Sequence, residues 1–231
     1  MKKLLNTELK FEFEQMTNEQ LTDFKFLSSF IFNKVGLFLS KRSLGKSIKN
    51  FENLTCFGGL QCIQYPDELA KLLVFLYQNK KSINSYCEMG IAFGGTFYVV
   101  DSFLRAVNPN MKYSLAIDLY CNKLEGFKEY NKKYPTTTLS KIDAIDFIPD
   151  QKYDLCLIDY IHSAKNCRIS YNSMKNFSNF IAFHDIKYKK YPDVMEFWNK
   201  EIKGDKIEFL NEDPTFSTPI GMGLIKILKK D

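Results

Sequence analysis

From residue 83 onward the chain alternates short apolar runs with amphipathic segments of helix length. The runs SYCEM, YSLAID, TTTLSKI, YDLCLID, NFIAFHDI, KIEFL and MGLIKIL are predicted strands. Nearly continuous apolar strands separated by helices signal a mostly parallel sheet covered on both faces, hence an α/β architecture. Upstream the period changes. Leu21, Phe24, Leu27 and Phe30 or Ile31 recur at helical spacing, which predicts a helix over residues 17–39, and Thr17 with Gln20 makes a capping box at its start. Residues 40–63 show no clear period and carry glycines, so a loop lying over a site is expected there. Pro66 then opens a further helix, PDELAKLLVFLYQN, with proline at its favoured first position and Asp67 and Glu68 in the first turn, where acids suit the helix dipole. The chain thus divides into a helical extension and loop, residues 1–62, and an α/β domain, residues 63–231.

Composition changes this picture little. With 231 residues, 45% of them hydrophobic, the chain can bury the core of one domain with an appendage. The net charge of +5 is modest and the lysines are scattered, with short clusters only at Lys187 to Lys190 and at Lys229 to Lys230, so no nucleic-acid partner is expected. Cys56, Cys62, Cys87, Cys121, Cys156 and Cys167 form no CxxC pair and read as reduced core residues of a cytoplasmic protein. The opening MKKLL is followed by Asn6, Glu8 and Lys10 where an export signal needs an apolar stretch. The most apolar upstream segment, FLSSFIFNKVGLFL, is broken by Asn33 and Lys34 and falls short of the ~20 residues that span a bilayer. It is expected to pack on the protein or on a partner subunit, in a homodimer.

The candidate chemistry sits at the ends of the predicted strands. Glu88 stands where the first strand stops, with Gly90, Gly94 and Gly95 behind it. In parallel sheets ligands bind beyond the carboxyl ends of the strands, and glycines there let backbone come close. The spacing is not the G-x-G-x-x-G of dinucleotide sites, and the acid suits a cationic ligand without a pyrophosphate. Asp118 ends the second strand, where an acid can accept both hydroxyls of a ribose, and Asp143 ends the third, within reach of an adenine edge. Asp159 and His162 end the fourth strand, His184 and Asp185 the fifth, and these are the chain's two histidines. Two carboxylates with an imidazole can hold a hard divalent cation, and a second imidazole can take a proton.

Glu88 to Thr96 (EMGIAFGGT), then Asp118, then Asp159-Tyr160-Ile161-His162 and His184-Asp185, resemble class I S-adenosylmethionine-dependent methyltransferases of the cephalosporin hydroxylase and macrocin O-methyltransferase type, over about residues 60–228. The resemblance implies a Rossmann-like seven-stranded sheet in residues 63–231. It implies that Glu88, Gly90, Gly94, Gly95 and Thr96 hold the methionyl part of the cofactor and Asp118 its ribose. It also implies Mg2+ on Asp159, His184 and Asp185, with His162 as base for O-methylation of a sugar hydroxyl, on a nucleotide-activated sugar, a surface glycan or a natural product. The first member of the second acidic pair is often glutamate in that family and is His184 here. Tyr160 and the aromatic loop before residue 63 are expected to cover the sugar. The alternatives are a metal-independent N- or O-methyltransferase for another small polar acceptor, and a cofactor-binding protein without catalysis.

Overall fold

The computed structural model describes residues 4–36, 60, 62–120, 126–214, 216 and 219–227. All seven predicted strands form: β1 Ser85–Met89, β2 Tyr113–Ile117, β3 Thr137–Ser140, β4 Tyr153–Ile158, β5 Ser178–Phe183, β6 Lys206–Phe209 and β7 Met222–Lys226. They make one sheet in the order β3-β2-β1-β4-β5-β7-β6. The first five strands are parallel, while β7 runs antiparallel between β5 and β6. Strand order reverses between β1 and β4, so their carboxyl ends diverge there and open a crevice. Every residue of β1 is buried, Glu88 included, as suits a strand covered on both faces.

Helices α1 Leu9–Glu14, α2 Asn18–Thr22 and α3 Phe24–Phe30 precede the sheet, followed by a wide turn at Ile31–Val35. The helix expected over residues 17–39 therefore breaks at Asp23. Its backbone is extended, and its carboxylate accepts the Lys25 and Phe26 amides, which starts a new helix. The capping box of Thr17 and Gln20 forms as expected. Phe13 of α1 meets Phe103 edge to face at 5.1 Å, and Leu9, Leu27 and Ile31 join the same apolar core as Tyr86 of β1. Among the described residues no helix is long and apolar enough to cross a membrane.

Helix α4, Pro66–Gln78, begins at proline as expected, but Asp67 and Glu68 are not solvated first-turn charges. Asp67 accepts the amides of Glu212 and Asp213, each at 3.0 Å, and Glu68 is wholly buried. The remaining helices are α5 Gly95–Val107, α6 Phe127–Lys133, α7 Ala164–Met174 and α8 Pro192–Glu196. Cys62, Cys87, Cys156 and Cys167 are buried free thiols; Cys56, Cys121 and most of the loop over residues 40–63 lie outside the described residues.

Candidate functional site

A cleft of about 260 Å³ opens at the carboxyl ends of β1, β4 and β5. Its lining includes Glu88, Gly90, Gly95, Thr96, Asp159, His162, His184 and Asp185, so the structure brings most of the residues marked by the sequence into one place. Gly94, Asp118 and Asp143 are not in its lining. The Asp118 carboxylate accepts the amides of Ile91, Ala92 and Tyr120 at 3.0, 2.9 and 2.7 Å and so braces the turn after β1. Asp143 caps a short turn by accepting the Ile145 amide at 3.1 Å.

The glycines of that turn serve the chain's own packing. A Cβ on Gly90, where φ is +88°, would lie 2.2 Å from the carbonyl oxygen of Asp159. A Cβ on Gly95 would lie 2.5 Å from both the Cys62 nitrogen and the Leu60 oxygen. Gly94 takes φ +81° at the start of α5, a left-handed conformation natural to glycine. The segment entering α4 is thus pressed onto the glycine turn and walls one side of the cleft.

Asp159 follows β4, and His162 lies in the loop before α7, whose first amides are capped by Ser163. His184 and Asp185 follow β5, with Asp185 held at φ +62°, a region that aspartate enters more readily than most residues. His162 Nε2 lies 2.6 Å from Asp185 Oδ2 and 3.5 Å from Asp159 Oδ1. His184 Nδ1 lies 3.4 Å from Asp159 Oδ1 and 3.6 Å from Asp185 Oδ1. Two imidazoles and two carboxylates therefore interlock.

Burial opposes a charge on His162, but the hydrogen bonds that its ring donates to Asp159 and Asp185 outweigh it and raise its pKa to about 9. The same carboxylates raise His184 well above its ordinary value against strong desolvation. Asp159 and Asp185 are in turn held low, the imidazoles overcoming the effect of burial. Glu88 goes the other way: burial pushes its carboxyl well up, although the Tyr86 hydroxyl donates to it. Burial likewise raises Glu68 to about 7.

The donor set fits a divalent cation. The ligand atoms of Asp159, His162 and Asp185 lie within 4.8 Å of one another, and His184 Nδ1 faces the same two carboxylates. His162 is the more open imidazole, its side chain 27% exposed against 4% for His184.

Four contributors escaped the sequence reading. Gln64 Nε2 donates to Asp159 Oδ2 at 2.7 Å. Tyr191 lies flat on the His162 ring, with centroids 4.0 Å apart and planes 8° apart. Tyr65 joins the cleft wall, and Glu68 lies behind His184. Tyr160, expected to cover an acceptor, is not in the lining; its hydroxyl bonds Ser170 and the Asn166 carbonyl of α7. The aromatic side chains facing the cleft are Tyr65, Tyr188 and Tyr191.

No protein-family model and no curated protein matches the sequence. Solved structures match its fold. A protein described as an RNA methyltransferase from Pyrococcus horikoshii aligns with a TM-score of 0.54 at 11% identity, over 89% of this chain and 98% of the other. A protein described as an O-methyltransferase from Klebsiella pneumoniae aligns at 0.51 and 16% identity, over 70% and 78%. An rRNA methylase from Streptococcus thermophilus aligns at 0.50 and 10% identity, over 68% and 96%. The chain has a Rossmann-like methyltransferase fold, with a seven-stranded, mostly parallel sheet.

Proposed function

We propose that this chain is an S-adenosylmethionine-dependent O-methyltransferase of a sugar hydroxyl, with His162 as base and Mg2+ held by Asp159, His184 and Asp185. The observation that carries the reading is the convergence of both histidines and both aspartates beside the glycine turn in one cleft. When bound, the cofactor supplies an activated methyl group, and the cation supplies Lewis acidity and takes over the charge balance that protons otherwise give the two aspartates.

The chain's own residues do the rest. Glu88 is a buried acid at the floor of the cleft, and a cationic group beside it would restore the charge that burial suppresses. Asp118 and Asp143, at the ends of β2 and β3, are the acids available to a ribose and an adenine edge. His162 is assigned the base because it is the more exposed imidazole, and Tyr191 stacked on its ring fixes its plane. Its Nε2 is the atom that gives up a proton to the surroundings and takes one from the acceptor hydroxyl. His184, buried behind, is left as the ligand. Tyr65 and Tyr188 offer flat apolar faces of the kind that sugar rings pack on.

The test joins calorimetry with S-adenosylmethionine to a mass-spectrometric screen of methyl transfer onto nucleotide sugars, run with Mg2+ and with EDTA. Absence of cofactor binding would overturn the whole reading. Binding without transfer to any sugar would overturn the acceptor class, and full turnover in EDTA would overturn the metal.

A further inference from the structure

Glu68 has no part in the chemistry above, yet it is 0% exposed and lies behind the cluster. It shares the buried stripe of α4 with Leu72 and Leu76, one and two turns on. A carboxylate on such a stripe needs partners, since an unsatisfied buried oxygen costs stability. Oε1 has one, the Gly221 amide at 2.8 Å. Among the described residues Oε2 has none, and neither does the buried His184 Nε2. These two orphaned atoms face each other at 3.9 Å, about 1 Å beyond hydrogen-bond reach.

The front of the ring differs. There Asp159 already receives the Gln64 amide at 2.7 Å, and Asp185 receives His162 Nε2 at 2.6 Å. The carboxylates before His184 thus each have a donor besides His184 itself, whereas among the described residues Glu68 Oε2 has none. A neutral imidazole carries one hydrogen, and its place is set by the bond that the other nitrogen makes.

We propose that Glu68 is a positioning residue for His184, holding the hydrogen on Nε2 and thereby turning the Nδ1 lone pair toward Asp159 and Asp185. The proposal rests on the reading of His184 as a ligand, because a lone pair on Nδ1 is what a ligand at that place requires. Glu68 acts through His184 and touches no reacting atom.

The experiment reads the tautomer directly. Long-range proton–nitrogen correlation spectra of the metal-free protein, taken at alkaline pH where the rings are neutral, report which nitrogen holds the hydrogen. The chain has only two histidines, and a His162→Gln sample assigns them. The wild type should show His184 with its hydrogen on Nε2. Glu68→Gln keeps an oxygen for the Gly221 amide but offers His184 a donor, so the hydrogen should move to Nδ1. Manganese affinity, followed by electron paramagnetic resonance, should fall ~10–100-fold in the same variant. A wild-type His184 protonated on Nδ1, or an unchanged tautomer in Glu68→Gln, would overturn the proposal. If Glu68→Gln does not fold, the wild-type spectrum decides alone. A wild type with the hydrogen on Nε2 that binds no manganese supports the role of Glu68 and overturns the metal instead.

Discussion

In the metal-free protein, His162 should make stability fall as pH rises above neutrality. Its pKa is raised from 6.5 to about 9 in the folded state, and each unit is worth about 1.4 kcal/mol. The folded chain therefore binds this proton more tightly than the unfolded chain. The resulting stabilisation is complete below pH 6.5 and is lost progressively as pH climbs through about 9. Its full size is about 3 kcal/mol, an upper figure because the side chain is 27% exposed. Urea denaturation in EDTA, at intervals from pH 6 to pH 9.5, should give a falling curve for the wild type. His184 and Glu68 tilt that curve the same way, since the folded state raises both of their pKa values too. The decisive quantity is thus the difference between wild type and His162→Gln, which should shrink by up to about 3 kcal/mol over this range. A difference that stays constant with pH would refute the idea that Asp159 and Asp185 hold a proton on His162. With His162 as the proposed base, turnover should rise as the same charge is lost, because only the deprotonated ring can accept a proton from a hydroxyl.

His162→Ala should lower turnover ~10²–10⁴-fold with S-adenosylmethionine affinity unchanged by calorimetry; an unaltered rate would remove it as base. Gly95→Ala drives a Cβ to 2.5 Å from the Leu60 and Cys62 backbone, and should cost at least about 2 kcal/mol in urea denaturation along with cofactor affinity. Ala92 sits at φ +47°, so Ala92→Gly should raise stability by about 1 kcal/mol and the melting temperature by ~2–4 °C in calorimetric scans. Gly223→Ala would press on the ring of Trp198 at 2.6 Å, and should cost about 1–3 kcal/mol while shifting the emission of that tryptophan, the only one in the chain.

The strands were legible because parallel strands buried on both faces leave unbroken apolar runs. The convergence of the strand-end residues was legible because parallel strands deliver their ends to one edge. Where the reading missed, docking of one element on another decided the outcome. α1 lies in the extension that was expected to be helical, although LKFEFE itself alternates, and it buries Leu9 and Phe13, one turn apart, while Phe11 is 58% exposed. Only docking against α5 selects that face. Glu68 passed for an ordinary first-turn acid, although its spacing from Leu72 and Leu76 put it on the apolar stripe, the one signal that marked it. Gln64 carried no such signal, since it meets the site only after its segment folds across the cleft. The glycines were expected to admit a ligand. Gly90 and Gly95 are also required by contacts that join β1 to the chain after β4 and to the entry of α4.

The placement of β7 has a consequence for biosynthesis. β5 carries His184 and Asp185 at its end, yet its outer neighbour is β7, the latest of the seven strands to leave the ribosome. Ile186 and Lys187 donate to the carbonyls of Gly221 and Ile220, and the Gly221 amide donates to Glu68. A nascent chain can assemble β1 to β5 by parallel pairing, but it must carry a bare edge on β5 until β7 is translated and slots in between β5 and β6. The corner that carries His184 and Asp185 is therefore among the last parts of the molecule to set, and a growing polypeptide would be exposed to mispairing along that edge until translation had passed β7.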